Sequence, residues 1–136
     1  MAFDVCHDQI VRALQNAGWR IEGESVQLAV EERTGFIDIR ARRDANGSTQ
    51  QVLYVEVKCF QDENRATTEL YTALGQYMVY RTMLNRINLS MPLYLAVPEA
   101  TFTKIFDSVI MEIVGNNRMK LMIVKLEEET IVQWIE

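Results

Sequence analysis

Apolar positions at the start of the chain recur every three or four residues. Phe3, Cys6, Ile10, Ala13, Leu14 and Ala17 fall on one face of a helix over 3–17, and Gly18 supplies its stop. The period then changes. Residues 26–30 read as a short strand, followed by two longer strands over 35–42 (GFIDIRAR) and 51–60 (QVLYVEVKCF). Asn46-Gly47 lies between them, and because both residues tolerate positive φ the two strands are expected to form a β-hairpin. From Asn64 to Arg86 no proline interrupts a helical pattern, with Leu70, Leu74, Tyr77, Met78, Arg81 and Leu84 near one stripe. Gly75 in its middle disfavours the helix by roughly 1 kcal/mol relative to Ala, and close packing on a sheet is one use for it. Residues 92–97 (PLYLAV) are almost entirely apolar, as expected of a strand covered on both faces. Pro98 ends that strand, 99–114 read as one or two short helices, and strands follow near 119–125 and 130–135. This order predicts a mixed sheet flanked by helices, of the α/β or α+β class, in a single domain over 1–136.

Two opposite charges interrupt the apolar strand LYVEVKCF. Side chains alternate along a strand, so Tyr54, Glu56, Lys58 and Phe60 share one face, while Leu53, Val55, Val57 and Cys59 share the other and read as core. In the preceding strand Ile37 and Ile39 are expected to point one way and Asp38 the other. Pairing through the Asn-Gly turn would bring Asp38 near Glu56 on the polar side. Carboxylate oxygens suit Mg²⁺ or Mn²⁺, which need only one or two of them and keep several waters. The backbone carbonyl of Val57 is a further candidate ligand, and Lys58 could orient a water or stabilise developing negative charge. On spacing alone the same residues could equally form a Glu56–Lys58–Asp38 salt-bridge group with no metal.

Composition narrows the partners. The chain is 136 residues long with 49% apolar and 24% charged residues, enough for a hydrophobic core of ordinary globular character. Its net charge of −5 argues against a generally basic nucleic-acid binder. Arg33, Arg40, Arg42 and Arg43 nevertheless cluster in the first half, as a local basic surface or as a solvated hairpin rim, while Glu127, Glu128 and Glu129 make the C-terminal end acidic. No apolar run is long enough to span a bilayer and no signal-peptide pattern opens the chain, so a cytosolic protein without membrane contact is expected. Cys6 and Cys59 do not suggest a disulfide framework or zinc cluster, and Cys59 reads as a small buried hydrophobe. His7 is the single histidine, which excludes a histidine-rich metal site.

The order of Asp38 in FID, Glu56-Val57-Lys58 in VEVK and a helix carrying Gln76 in ALGQY resembles the PD-(D/E)XK nuclease superfamily. That resemblance implies a restriction-endonuclease-like αβββαβ core. It further implies Asp38 and Glu56 as metal ligands, Lys58 as the water- or phosphate-facing cation and Gln76 as a supporting residue. The superfamily often adds an acid in the first helix, where HDQIVRAL offers His7 and Asp8 instead of the usual glutamate. Over nearly the whole chain, HDQIVRALQNAGW, FIDIRA, VEVKCF, TALGQYMVYR, LYLAVP and IVQWIE are similar to the XisH family. The family is described as a controlling factor for excision of the fdxN element in heterocyst-forming cyanobacteria. It implies site-specific DNA rearrangement in concert with a recombinase and an XisI-type companion protein. DNA is then the expected substrate, and a homo-oligomer is compatible with the sequence. A catalytically inactive module that binds the companion or the recombinase is the competing expectation.

Other residues have plainer readings. Tyr71, Tyr77 and Tyr80 at helical spacing are expected to pack on the sheet rather than stack on bases. Gln76 serves either the site or an ordinary hydrogen bond, and His7 is expected to be packed or hydrogen-bonded. Trp19 and Trp134 are expected to close the core at its two ends, or to belong to a partner interface.

Overall fold

The structure, a computed structural model, describes residues 4–45, 49–87 and 90–136. The first apolar face forms helix α1 (His7–Asn16), which buries Ile10, Ala13 and Leu14, and Gly18 follows it at a φ of 92°. Three antiparallel strands come next: β1 (Arg20–Val30), β2 (Arg33–Ala45) and β3 (Thr49–Val57). The β2–β3 register runs to the pair Ala45↔Thr49, and the Asn46-Gly47 turn itself lies outside the described residues. A 3₁₀ turn at Glu63–Arg65, capped by the Asp62 carboxylate, leads into helix α2 (Ala66–Arg86). Strand β4 (Leu93–Pro98) is buried at every position. Helices α3 (Glu99–Ile105) and α4 (Ser108–Asn116) and strands β5 (Lys120–Lys125) and β6 (Thr130–Ile135) complete the chain.

The six strands form one sheet in sequence order, parallel at β3–β4 and β4–β5 and antiparallel elsewhere. This is the expected mixed sheet flanked by helices. Two apolar layers hold it together. On one face α1 packs against Ile39, Ala41, Leu53, Val55, Val57, Ala96, Met122 and Val124. On the other, Leu70, Ala73, Tyr77 and Leu84 of α2 and Ile110 and Val114 of α4 pack against Ile37, Tyr54, Leu95, Leu121 and Ile123. Burial of strands on both faces explains why β4 and β5 carry unbroken apolar runs. Among the described residues no helix is long and apolar enough to cross a membrane.

Several local expectations are corrected. Strand β1 begins at Arg20 rather than 26. Its first half is polar and half-exposed at the sheet edge, so no apolar alternation marks it. Strand β3 ends at Val57 instead of 60, and Phe60 turns back into the core through a left-handed φ of 56°. Ile37 and Ile39 do not share a side, because Ile37 packs with α2 and Ile39 under α1. The β2–β3 ladder stops at Ile39↔Val55, while β2 continues alone with β1, and Ser25, across from Asp38 between the pairs Glu24↔Ile39 and Val26↔Ile37, takes a φ of 52°. Period-two alternation therefore fails across Asp38, where β2 leaves β3.

Cys6 and Cys59 form a disulfide, with Cα atoms 5.8 Å apart, joining the residue ahead of α1 to the end of β3. The bond closes a loop across 53 positions of sequence, a contact that only the packing of α1 on the sheet creates. Trp19 and Trp134 do not close opposite ends. Their ring centroids are 6.3 Å apart, and Tyr94 meets Trp134 edge-on at 5.0 Å. Gly75 is not a close-packing site either, since a Cβ there would meet no atom within 4 Å. Of the three helix tyrosines, Tyr77 is buried and Tyr80 half-buried, whereas Tyr71 is exposed.

Candidate functional site

Where β2 departs from β3, the backbone N–H of Val57 loses its strand partner and is satisfied by a side chain. Asp38 Oδ2 accepts it at 2.8 Å. This bond places the Asp38 carboxylate in the gap between the strands, on the side where Glu56 projects. The two carboxyl groups lie close enough to shift each other's ionisation. Glu56 is only 6% exposed, and its Oε1 has no hydrogen-bond partner in the structure.

Crowding two buried acids has an electrostatic consequence. Burial and then the charge of Asp38 push the Glu56 carboxyl up to about 8. Burial likewise raises Asp38, against the Val57 N–H and the charge of His7, while Asp4 adds to the rise. The pair thus holds a proton near neutral pH, because burial and the neighbouring carboxylate outweigh the charge of Lys58 on Glu56. Lys58 is half-buried and, among the described residues, makes no ion pair or side-chain hydrogen bond. A Glu56–Lys58–Asp38 salt-bridge group is therefore not what this sequence builds.

Helix α2 closes the site from above. Gln76 and Tyr80, four residues apart, lie on one helix face. Gln76 Oε1 is buried without a partner. The Tyr80 phenol is raised by burial first and then by the charges of Glu56 and Asp38, against the nearby Phe36 N–H. Its ring crosses Gly35 so closely that a Cβ on residue 35 would stand 2.8 Å from Tyr80 Cε1. Gly35 is needed here for space. Tyr80 is a neighbour of the acid pair that strand and helix patterning did not single out. The Gln76–Tyr80 spacing, read together with the glycine before Phe36, was the available signal.

The start of the chain approaches the same place. Asp4 Oδ2 accepts the Cys59 N–H at 3.0 Å, and the buried His7 pairs through Nε2 with Glu24 at 2.6 Å. Asp8 is exposed and does not join them. His7 thus has the hydrogen-bonded role expected of it, and Asp4, which the sequence reading passed over, is the nearer acid.

The donor set fits a hard divalent cation. Two neighbouring carboxylates supply oxygen ligands and excess negative charge. Among the described residues no three His, Cys, Asp or Glu side chains gather into a metal cluster. Asp38, Glu56, the Val57 backbone and water would therefore have to hold the ion, which suits Mg²⁺ or Mn²⁺ better than a cation needing an all-protein cage.

The sequence profile of the XisH protein matches residues 1–132. Among solved structures, an XisH family protein from Nostoc punctiforme PCC 73102 superimposes with a TM-score of 0.87 at 34% identity, covering 98% of this chain and 100% of that one. A fdxN element excision controlling factor protein from Anabaena variabilis gives a TM-score of 0.86 at 34% identity over the same shares of both chains. No curated protein sequence matches significantly. With its profile matched along nearly its whole length and its fold shared end to end with those structures, this chain belongs to the XisH family.

Proposed function

We propose that this chain is a controlling factor for excision of a DNA element of the fdxN type, and that its acid pair is a metal-dependent phosphodiesterase site of the PD-(D/E)XK kind. The observation that carries the second half is the burial of Glu56 with one oxygen unpartnered, next to the Asp38 carboxylate that accepts the Val57 N–H. The order α1-β1-β2-β3-α2-β4 supports the superfamily reading. So does the break in the ladder at Asp38, which opens a polar notch in an otherwise apolar sheet.

In this reading Asp38 and Glu56 hold Mg²⁺ or Mn²⁺ with help from the Val57 backbone. When bound, the ion supplies Lewis acidity toward a phosphoryl oxygen and lowers the pKa of its water. The chain's own residues do the rest. Lys58, whose charge reaches Glu56 and which makes no ion pair among the described residues, orients the attacking water or balances charge on the phosphate. Gln76, one turn ahead of Tyr80 on α2 with its amide oxygen buried and unpartnered, is the supporting residue that fixes a water. Tyr80 and α2 shield the carboxylates from bulk solvent.

A second reading has one observation in its favour. The net charge of −5 is unusual for a protein that binds DNA unaided. The same fold would then act as a regulatory module engaging an XisI-type companion or a site-specific recombinase, with the acid pair idle. Titration of the purified chain with Mn²⁺ separates the two. The nuclease reading expects a rise in melting temperature that Glu56→Ala abolishes, together with strand cleavage. A companion complex that forms equally well with wild type and Glu56→Ala, without any metal response, supports the module.

A further inference from the structure

The arginines of β2 do not form one surface. Arg43 lies with its guanidinium 4.5 Å from the centroid of the Trp19 ring, on the face covered by α1, and Arg33 is exposed at the β1–β2 turn. Arg40 and Arg42 alternate with Ile39 and Ala41, which are buried under α1, so they project on the opposite face, the face of Tyr54. The strand therefore carries Arg40 and Arg42 on one face, about 7 Å apart at the rise of a β-strand, with Asp38 next along the chain where β2 leaves β3.

Both guanidinium groups converge on one carboxylate. Glu22 Oε1 accepts from Arg40 Nε at 2.9 Å and from Arg42 Nη2 at 3.3 Å, and Glu22 Oε2 accepts a short bond from Arg42 Nε. Arg42 Nη1 donates to Gln50, and Arg40 Nη1 donates to the Tyr54 hydroxyl at 3.0 Å. Glu22 is the residue at which the β1–β2 register slips, between Ile21 and Gly23. A β-bulge re-aims a side chain that regular alternation would send elsewhere. Here it turns an exposed carboxylate into a fork of two preset, half-buried arginines. Such a fork matches a carboxylate or a phosphate alike.

We infer that Arg40 and Arg42 are a contact for one phosphate of the nucleic-acid backbone, and that Glu22 occupies this position until a phosphate displaces it. The inference rests on the nuclease reading and adds to it the residues that lead the backbone to the acid pair. It also accounts for DNA recognition by an acidic chain. The cationic site is built but internally neutralised, which keeps non-specific affinity low and leaves the guanidinium groups oriented.

The test is binding of a fluorescent DNA duplex in EDTA, across a range of salt, by wild type and three variants. Glu22→Gln removes the competitor and raises affinity at least about threefold, whereas a merely structural cross-strand pair would loosen on the same change and lower it. Arg40→Gln with Arg42→Gln lowers affinity more than about tenfold and flattens the salt dependence by roughly two units of slope. Arg43→Gln, on the other face, leaves both unchanged. Melting temperatures within a few degrees of wild type confirm that each variant is folded. Wild-type binding that Glu22→Gln fails to strengthen, or that the double arginine variant leaves intact, overturns the inference while the nuclease reading stands. If wild type neither binds duplex at low salt nor cleaves DNA with Mn²⁺, the nuclease reading has failed and takes this inference with it. Binding confined to single strands keeps the phosphate contact but rejects the duplex as its source.

Discussion

Near neutral pH the metal-free protein carries Glu56 as an acid, because burial and the adjoining Asp38 raise its carboxyl to about 8. In the unfolded chain the same group ionises near the ordinary glutamate value of 4.5. Between those two values the unfolded state binds fewer protons than the folded one, so stability falls as pH rises. It is highest below the unfolded value and levels off above the folded one. Each unit of separation is worth about 1.4 kcal/mol, and the coupled pair shares it. Urea unfolding in EDTA at pH 5, 7 and 9 should therefore show a progressive loss in wild type that Glu56→Gln largely removes. Parallel curves for the two proteins would contradict the burial argument. Gly35 gives a second residue-scale prediction. Gly35→Ala forces a Cβ to within 2.8 Å of the Tyr80 ring and should destabilise by about 1–3 kcal/mol. Combined with Tyr80→Leu the loss should shrink, and a double-mutant cycle by urea unfolding reads the coupling.

Elements were legible to unequal degrees, for physical reasons. α1, β4 and β5 bury apolar residues at regular spacing, so periodicity found them. β1 did not show itself because an edge strand with half-exposed side chains leaves little hydrophobic signature. The acid pair was legible through the alternation of β3, and Asp38 through its neighbours. The break in β2 that brings them together was not, since it depends on where the β2–β3 ladder ends. Tyr80 needed the tertiary contact with Gly35. Two predictions belong at this scale. Gly75→Ala should stabilise α2 by about 1 kcal/mol, because the position faces open space and Ala is the better helix former. A lower melting temperature for that variant would mean that the helix packs differently from the structure. Cys6→Ser or Cys59→Ser should cost about 2–4 kcal/mol, since the disulfide constrains a long loop of the unfolded chain. Dithiothreitol should lower the melting temperature of wild type and leave the serine variants unmoved.

At the scale of the molecule, the sheet is apolar on both faces and interrupted by one polar notch at the end of β3. A fold stabilised by two hydrophobic layers has no structural need for two neighbouring carboxyl groups there, and tolerates them at a cost. One similar structure is a fdxN element excision controlling factor protein, and the proposed role of the notch is a chemistry that acts on DNA. Arg40 and Arg42 extend that chemistry along the strand toward a backbone phosphate. The central claim is that the notch works as a metal-dependent nuclease site. Nicking of supercoiled plasmid by purified protein, with Mn²⁺, with EDTA, and with the Glu56→Ala variant, tests it most directly. Relaxed plasmid appearing only with wild type and Mn²⁺ is the predicted result. Plasmid left supercoiled by wild type at every Mn²⁺ concentration, or nicked equally by Glu56→Ala, would contradict it.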